Sequence, residues 1–195
     1  MPTDPRGVFD VVEMGTRVFL RRPDQEDCDE FLAMVEASRG LHAGWVRPPA
    51  HPQDYAAYLG RAGRRSGESF LVCRLPDGAI AGVFNLVEIS PHLHTAFCSY
   101  YAHAGFVRQG LMGEGLQLLL HHAFEQMHLQ ALGASIQPGN AASIALVQRA
   151  GFRPEKAPPR YLRLAGHWRG HPTWSITAHR WRQLAEARES EAREP

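Results

Sequence analysis

One stretch constrains this chain more than any other, Tyr100 to Phe152: YYAHAGFVRQGLMGEGLQLLLHHAFEQMHLQALGASIQPGNAASIALVQRAGF. It reads as a strand, a glycine-bearing loop, a long amphipathic helix, a second strand and a short helix. In the long helix Met112, Leu116, Leu119, Leu120, Ala123 and Met127 recur at the 3.6-residue period of one buried stripe. Leu132, Ala134 and Ile136 alternate as a strand. Asn140 suits an N-cap and Gly151 a C-terminal stop for the helix between them. A glycine turn at the mouth of a helix leaves backbone N–H groups pointing outward at the positive end of the helix dipole. Such a mouth binds phosphate.

The rest of the chain supplies one sheet and its covers. Thr16–Arg21 alternates as a strand, and Asp24–Ser38 carries Phe31, Met34 and Val35 at helical spacing. A Pro-rich loop spans residues 41–52, and Asp54–Arg64 reads as a second helix. Ser69–Leu75 and Ile80–Ile89 flank a Pro-Asp-Gly turn and predict a hairpin. Residues 93–102 form a strand with apolar groups on both faces. Arg160–Leu164 and Thr173–Thr177 read as closing strands, with Tyr161 and Trp168 in the core. The expected class is α/β (α+β): a mixed, mostly antiparallel twisted sheet, helices on both faces and a central strand split. At 195 residues with no linker or repeat, the chain is expected to be a single domain, 1–195, with loose ends at 1–12 and 183–195.

Composition removes several function classes. A net charge of +1 offers no broad basic surface, so DNA is not the expected partner. No apolar run reaches membrane-helix length and the start is no signal peptide, so a cytoplasmic protein without a membrane partner is expected. Cys28, Cys73 and Cys98 match no metal spacing and read as reduced thiols, and no metal site is expected. His121, His122 and His128 on the long helix do not converge on a metal. The sequence sets no oligomeric state, and a homodimer is one arrangement it allows.

The order of elements resembles the GCN5-related N-acetyltransferase (GNAT) superfamily. Within it the chain resembles the ribosomal-protein-alanine N-acetyltransferase branch. The resemblance rests on TRVFLRRPDQEDCDEF, SRGLHAGWVRPP, AGVFNLVEI, TAFCSYYA, RQGLMGEGL, NAASIALVQRAGF and YLRLAGHWRGHPTWSITAHRW, nearly end to end. It implies acetyl-coenzyme A as donor, with pantetheine in the strand split beside the backbone of Tyr101, Ala102 and His103. The amides of Gln109, Gly110, Leu111, Met112 and Gly113 would hold the pyrophosphate. Asn140 would contact the pantetheine arm, and Ser143 would stand near the thioester sulfur to protonate the leaving thiolate. Trp45 and Tyr55 would line the acceptor groove.

Two departures from the family pattern stand out. Arg108 replaces the first loop glycine, where it must avoid positive φ or be strained, and where it could instead reach a phosphate. The usual general bases are missing: Phe97, Gln148 and the run RYLRLAG occupy the positions where relatives carry a strand Glu, a Tyr or a late Glu. Glu88 on the hairpin is the leading substitute, ahead of His92 and His94. An α-amine, with pKa about 7.7–8.0, needs a base less than a lysine side chain at about 10.4. The implied reaction is therefore acetyl transfer to a primary amine, above all a protein or peptide N-terminus with a ribosomal-protein-like acceptor. The alternatives are a small-molecule amine acetyltransferase of the same fold and a non-catalytic acyl-coenzyme A binding module.

Overall fold

The computed structural model describes residues 11–62, 67–164 and 167–191. The chain runs β1 (Val11–Met14), β2 (Val18–Arg21), α1 (Cys28–Ala37), α2 (Arg39–His42), α3 (Pro52–Ala62), β3 (Gly67–Arg74), β4 (Ile80–Ser90) and β5 (Thr95–Ala102). It continues with α4 (Leu111–His121), β6 (Ala131–Ser135), α5 (Ala141–Ala150), β7 (Arg153–Pro154), β8 (Arg160–Leu164), β9 (His167–His171), β10 (Thr173–Thr177) and α6 (Ala178–Glu191). Among the described residues, eight strands form one sheet in the order β1-β2-β3-β4-β5-β6-β10-β7, and β8 and β9 make a separate two-stranded ribbon. The β5–β6 pair is parallel; the other pairs are antiparallel.

Strand alternation divides the core. Val18, Leu20, Phe70, Val72, Phe84 and Leu86 face one side of the sheet, where Leu116, Leu119 and Leu120 of α4 and Val147 of α5 cover them. Phe19, Leu71, Cys73, Val83 and Tyr101 face the other side, under Phe31 and Met34 of α1 and Tyr55 and Tyr58 of α3. Each fully buried leucine of α4 contributes roughly 1.5–3 kcal/mol relative to exposure. The stripe on α4 continues past His121 through a π-turn, His122–Gln126.

A buried ion pair holds the entry to α1. Asp24 accepts from the Glu26 amide at 2.8 Å, and Asp27 returns a bond to the Asp24 amide at 2.9 Å. Asp27 also takes both terminal nitrogens of Arg21, at 2.7 and 2.5 Å, in a pair 2% and 5% exposed. The guanidinium is strongly desolvated, yet the bonds to Asp27 and the nearby Cys73 outweigh that and hold its pKa above the ordinary value. The three cysteines are free thiols, with Cys73 and Cys98 pushed up to about 12 by burial.

Several boundaries differ from the sequence reading. Val11 and Val12 belong to β1, Val11 opposite Arg21 and Val12 at a bulge, rather than to a loose start, and the charged C-terminal run is helical as far as Glu191. The short helix α2, Arg39–His42, takes the first two residues of the Pro-rich loop. The predicted ends of the second helix at residues 63 and 64 lie outside the described residues. Of the expected closing strands, β10 joins the main sheet, but Arg160–Leu164 pairs with β9 in the ribbon instead. Tyr161 and Trp168 on that ribbon are 65% and 68% exposed, not core, because no second layer among the described residues covers it.

Candidate functional site

The sheet opens where β5 and β6 diverge. They pair only over Thr95–Phe97 and Ala131–Gly133, after which β5 runs on to Ala102 while β6 stays with β10. Gly133 lets the Phe97 ring cross the root of the split: a Cβ there would lie 2.7 Å from Phe97 Cε1.

The pleat decides which β5 groups face the opening. The His103 N–H donates to the Ala81 carbonyl at 2.8 Å, and residues along an antiparallel strand alternate between bonding their partner and facing away. His103 and Tyr101 therefore direct their main chain at β4, whereas Ala102 and Tyr100 turn theirs toward the split. The expected trio therefore does not point one way: Tyr101 and His103 direct their main chain at β4, and of the three only Ala102 turns toward the split, as Tyr100 also does. The Ala102 carbonyl already meets His42 Nε2 at 2.9 Å, which leaves its N–H.

At the outer end of the split, Gly110 caps α4 with φ 78° and no side chain caps the helix. Glu114 N–H closes on the Gly110 carbonyl at 3.1 Å. The amides of Leu111, Met112 and Gly113 meet no acceptor among the described residues. The side chains of Leu111 and Met112 sink into the core, so only their backbone is presented. Glu114 anchors this turn from behind, accepting from the Thr16 and Arg17 amides at 2.7 and 2.8 Å and from Arg17 Nε at 2.9 Å. Burial opposes ionisation of that carboxyl, but the bonds from Arg17 and Thr16 prevail and lower its pKa. Arg17 also donates to the Gln109 carbonyl at 2.9 Å. Arg108 does adopt positive φ, 62°, a left-handed conformation that costs a non-glycine residue roughly 1–2 kcal/mol. Its side chain is exposed.

Across the split, α5 begins as the sequence predicts. Asn140 Oδ1 accepts from the Ser143 amide at 3.1 Å, and Gly151 ends the helix at φ 102°. The cap belongs to Asn140, so the Ser143 hydroxyl is not needed for it. The Tyr100 hydroxyl donates to the Ser143 carbonyl at 3.2 Å and ties β5 to α5. Burial raises that phenol's pKa, so it stays neutral. Tyr100 and the first turn of α5 thus meet across the gap.

The face of the sheet under α3 holds a cavity of about 620 Å³ whose lining includes Tyr58, Arg61, Asn85, Glu88, Ser99 and Tyr101. Glu88, the leading base candidate, stands at a bulge with φ 52° and accepts from Arg160 Nη2 at 2.6 Å, and Arg160 is stacked 4.1 Å over Phe97. His92 and His94 lie in the exposed β4–β5 turn. Trp45 is part-exposed, its ring tip 3.4 Å from the place a Gly139 Cβ would take, so it borders the approach to α5. Tyr55 corrects the expectation for the acceptor groove. It is fully buried, with its ring 4.8 Å from Phe31 and its hydroxyl donating to the Asp24 carbonyl at 2.7 Å. The helical period of α3 turns it inward beside Tyr58. No cluster of metal-ligating side chains occurs among the described residues.

A family model for the acetyltransferase (GNAT) domain matches residues 17–153, the span that contains the split, the open helix mouth and α5. The chain belongs to the GNAT acetyltransferase family. Among curated proteins, this acetyltransferase is similar to "Probable N-acetyltransferase YjcK" of Bacillus subtilis, 28% identical over 173 residues, 83% of this chain and 94% of the relative. It is equally similar to the [ribosomal protein uS5]-alanine N-acetyltransferase of Escherichia coli, 28% identical over 174 residues, 85% of this chain and 90% of that one. Among solved structures, Mycobacterium smegmatis RimJ in complex with CoA-disulfide superposes with a TM-score of 0.74 at 23% identity, over 86% of this chain and 89% of that one. A GCN5-related N-acetyltransferase from Brucella melitensis reaches 0.79 at 21%, over 96% and 87%. At these identities the two structures establish the shared fold.

Proposed function

We propose that this acetyltransferase binds acetyl-coenzyme A in the β5–β6 split and transfers the acetyl group to the α-amine of a protein or peptide. The observation that carries the reading is the row of acceptor-free amides at Leu111, Met112 and Gly113, at the positive end of an eleven-residue helix beside an open strand edge. Diphosphate oxygens satisfy such amides, and the split accommodates an extended arm against the N–H groups of Tyr100 and Ala102. The exposed Arg108 guanidinium adds a charge-assisted donor beside the diphosphate. The Asn140 amide nitrogen, free of the cap, is available to the same arm.

The coenzyme supplies an activated acyl carbon; the chain's residues position, polarise and move protons. The amine nitrogen bonds to the acyl carbon as the carbon–sulfur bond breaks. The carbonyl oxygen is polarised by an amide of β5. The Ser143 hydroxyl delivers a proton to the departing sulfur and regains one from the amine by way of solvent. Glu88 is one of the two carboxylates lining the acceptor cavity, and it acts through water because Arg160 occupies it directly. Holding both reactants in one cleft supplies much of the acceleration. The similarity to a [ribosomal protein uS5]-alanine N-acetyltransferase supports a protein as acceptor.

The test is thiol release from acetyl-coenzyme A with a panel of peptides, free of lysine, and small amines. Turnover on peptide N-termini supports the proposal. Turnover confined to small amines refutes the acceptor. Tight coenzyme binding with no turnover on any amine makes the chain an acyl-coenzyme A binding module.

A further inference from the structure

We infer that the Asn85 carboxamide reads a carbonyl oxygen beside the acceptor amine, so that the cavity under α3 selects peptide α-amines over amines that lack a neighbouring carbonyl. The inference rests on the acetyl-transfer reading and adds how the acceptor is chosen.

Ser69, Asn85 and Ser99 occupy directly opposed positions on β3, β4 and β5 and face the same side of the sheet. The next row on that face, Leu71, Val83 and Tyr101, is buried among apolar neighbours. This polar row lies beside that core, on the floor of the 620 Å³ cavity.

Asn85 Oδ1 accepts from the Tyr58 hydroxyl at 3.1 Å and from Ser69 Oγ at 2.8 Å. The carboxamide turns its oxygen to both hydroxyls. The oxygen is committed to α3 and β3, and the amide nitrogen has no acceptor among the described residues. A second donor stands nearby. Tyr101 lies diagonal to Asn85 across the β4–β5 pair, about 7–8 Å away between backbones. Its hydroxyl is buried without a partner among the described residues, on a residue 9% exposed. Burial keeps that phenol protonated and therefore a donor. A buried donor left unpaired is costly, and a ligand oxygen relieves the cost.

The charges agree. Both carboxylates in the lining are taken: Glu88 by Arg160 at 2.6 Å and Glu68 by Arg22 at 2.9 Å. Arg61 adds a cation to the wall. A cavity of donors with neutralised carboxylates rejects a polyamine, which brings only further donors and positive charge. It suits the backbone of a peptide, whose first carbonyl is two bonds from its α-amine.

Asn85→Asp tests this with an isosteric change. It keeps an oxygen for Tyr58 and Ser69 and replaces the free amide with a second oxygen. At saturating acetyl-coenzyme A, KM for a short peptide should rise by at least about tenfold while kcat changes less than about threefold. The preference for peptide over butylamine or spermidine should fall by a similar factor. Peptide affinity for the protein loaded with coenzyme A is measured by calorimetry in parallel, so the assignment is decided even if no amine turns over. Unchanged preference and unchanged peptide affinity, with normal coenzyme binding, overturn it. Tyr101→Phe, which removes only the hydroxyl, must move the same quantities in the same direction; if it does and Asn85→Asp does not fold, the inference stands, and if neither folded variant weakens peptide binding, it falls. Loss of all coenzyme binding by the wild-type protein would instead defeat the acetyl-transfer reading.

Discussion

Ser143→Ala separates chemistry from folding at the heart of the split. Three structural facts set the expected stability change. The helix cap belongs to Asn140 Oδ1, which binds the Ser143 amide at 3.1 Å and is untouched by the substitution. The tether from Tyr100 ends on the Ser143 carbonyl, which also survives. Alanine is the better helix former by up to about 0.5 kcal/mol, close to what loss of a part-exposed hydroxyl costs. The net change should be within about 0.5 kcal/mol, with an urea midpoint close to that of the wild type. Transfer should respond far more. Removing a positioned proton donor typically slows a reaction by about 10²–10⁴, equivalent to roughly 2.7–5.5 kcal/mol of barrier. Single-turnover acetylation of a peptide, with both substrates saturating, reads that step free of product release. A rate within threefold of the wild type would refute the assignment of Ser143 as proton donor.

Three further outcomes follow from the structure. Asp27→Asn leaves the 2%-exposed Arg21 without its carboxylate, and calorimetry should show a loss of about 3–5 kcal/mol; a loss under 1 kcal/mol would contradict the pairing. His42 and His122 have pKa values lowered first by burial; for His122, Glu68 and Glu13 oppose the shift without cancelling it, and for His42 the Ala102 carbonyl does so. The folded state therefore resists protons that the unfolded chain accepts near its ordinary value of about 6.5, so stability is full above that pH and falls as pH drops through and below it. Urea midpoints at a series of pH values check the slope, and a midpoint that rises on acidification through this window would reverse the sign. Tyr100→Phe cuts the bond that ties β5 to α5, and should lower kcat for peptide more than it lowers stability, which should change by about 0.5–1.5 kcal/mol; an unchanged kcat would show that the tether positions nothing.

The parts of this molecule legible in its sequence are those fixed by local chemistry. The stripe from Met112 to Ala123, the Asn140 cap and the Gly151 stop are each set by residues a few positions apart, and each is found where expected. The open amides at the mouth of α4 follow from the same short-range rules. What the sequence concealed depends on long-range partners. Tyr55 and Trp45 are both aromatic residues near the Pro-rich loop, and only the packing of α3 on α1 shows that one is buried and the other borders the cleft. Glu88 reads as a base candidate or a salt-bridged strand residue, and its partner Arg160, far along the chain, shows only in the fold. Tyr161 and Trp168 look like core residues, yet they sit on a ribbon that no layer among the described residues covers. The roles of Tyr100 and Asn85 needed strand register, which no local signal in TAFCSYYA or AGVFNLVEI supplies. Alternation within TAFCSYYA could have shown that adjacent residues cannot all face the split; which set does so required the bond from His103 to Ala81.

The central claim is that the backbone at the start of α4 grips the diphosphate of coenzyme A. Titrating isotope-labelled protein with coenzyme A while following backbone amide resonances tests it directly. The account predicts saturable binding, with the largest shifts at Leu111, Met112 and Gly113 and accompanying shifts at Tyr100 and Ala102. Saturable binding that leaves these amides unmoved, or no binding at all, would contradict it.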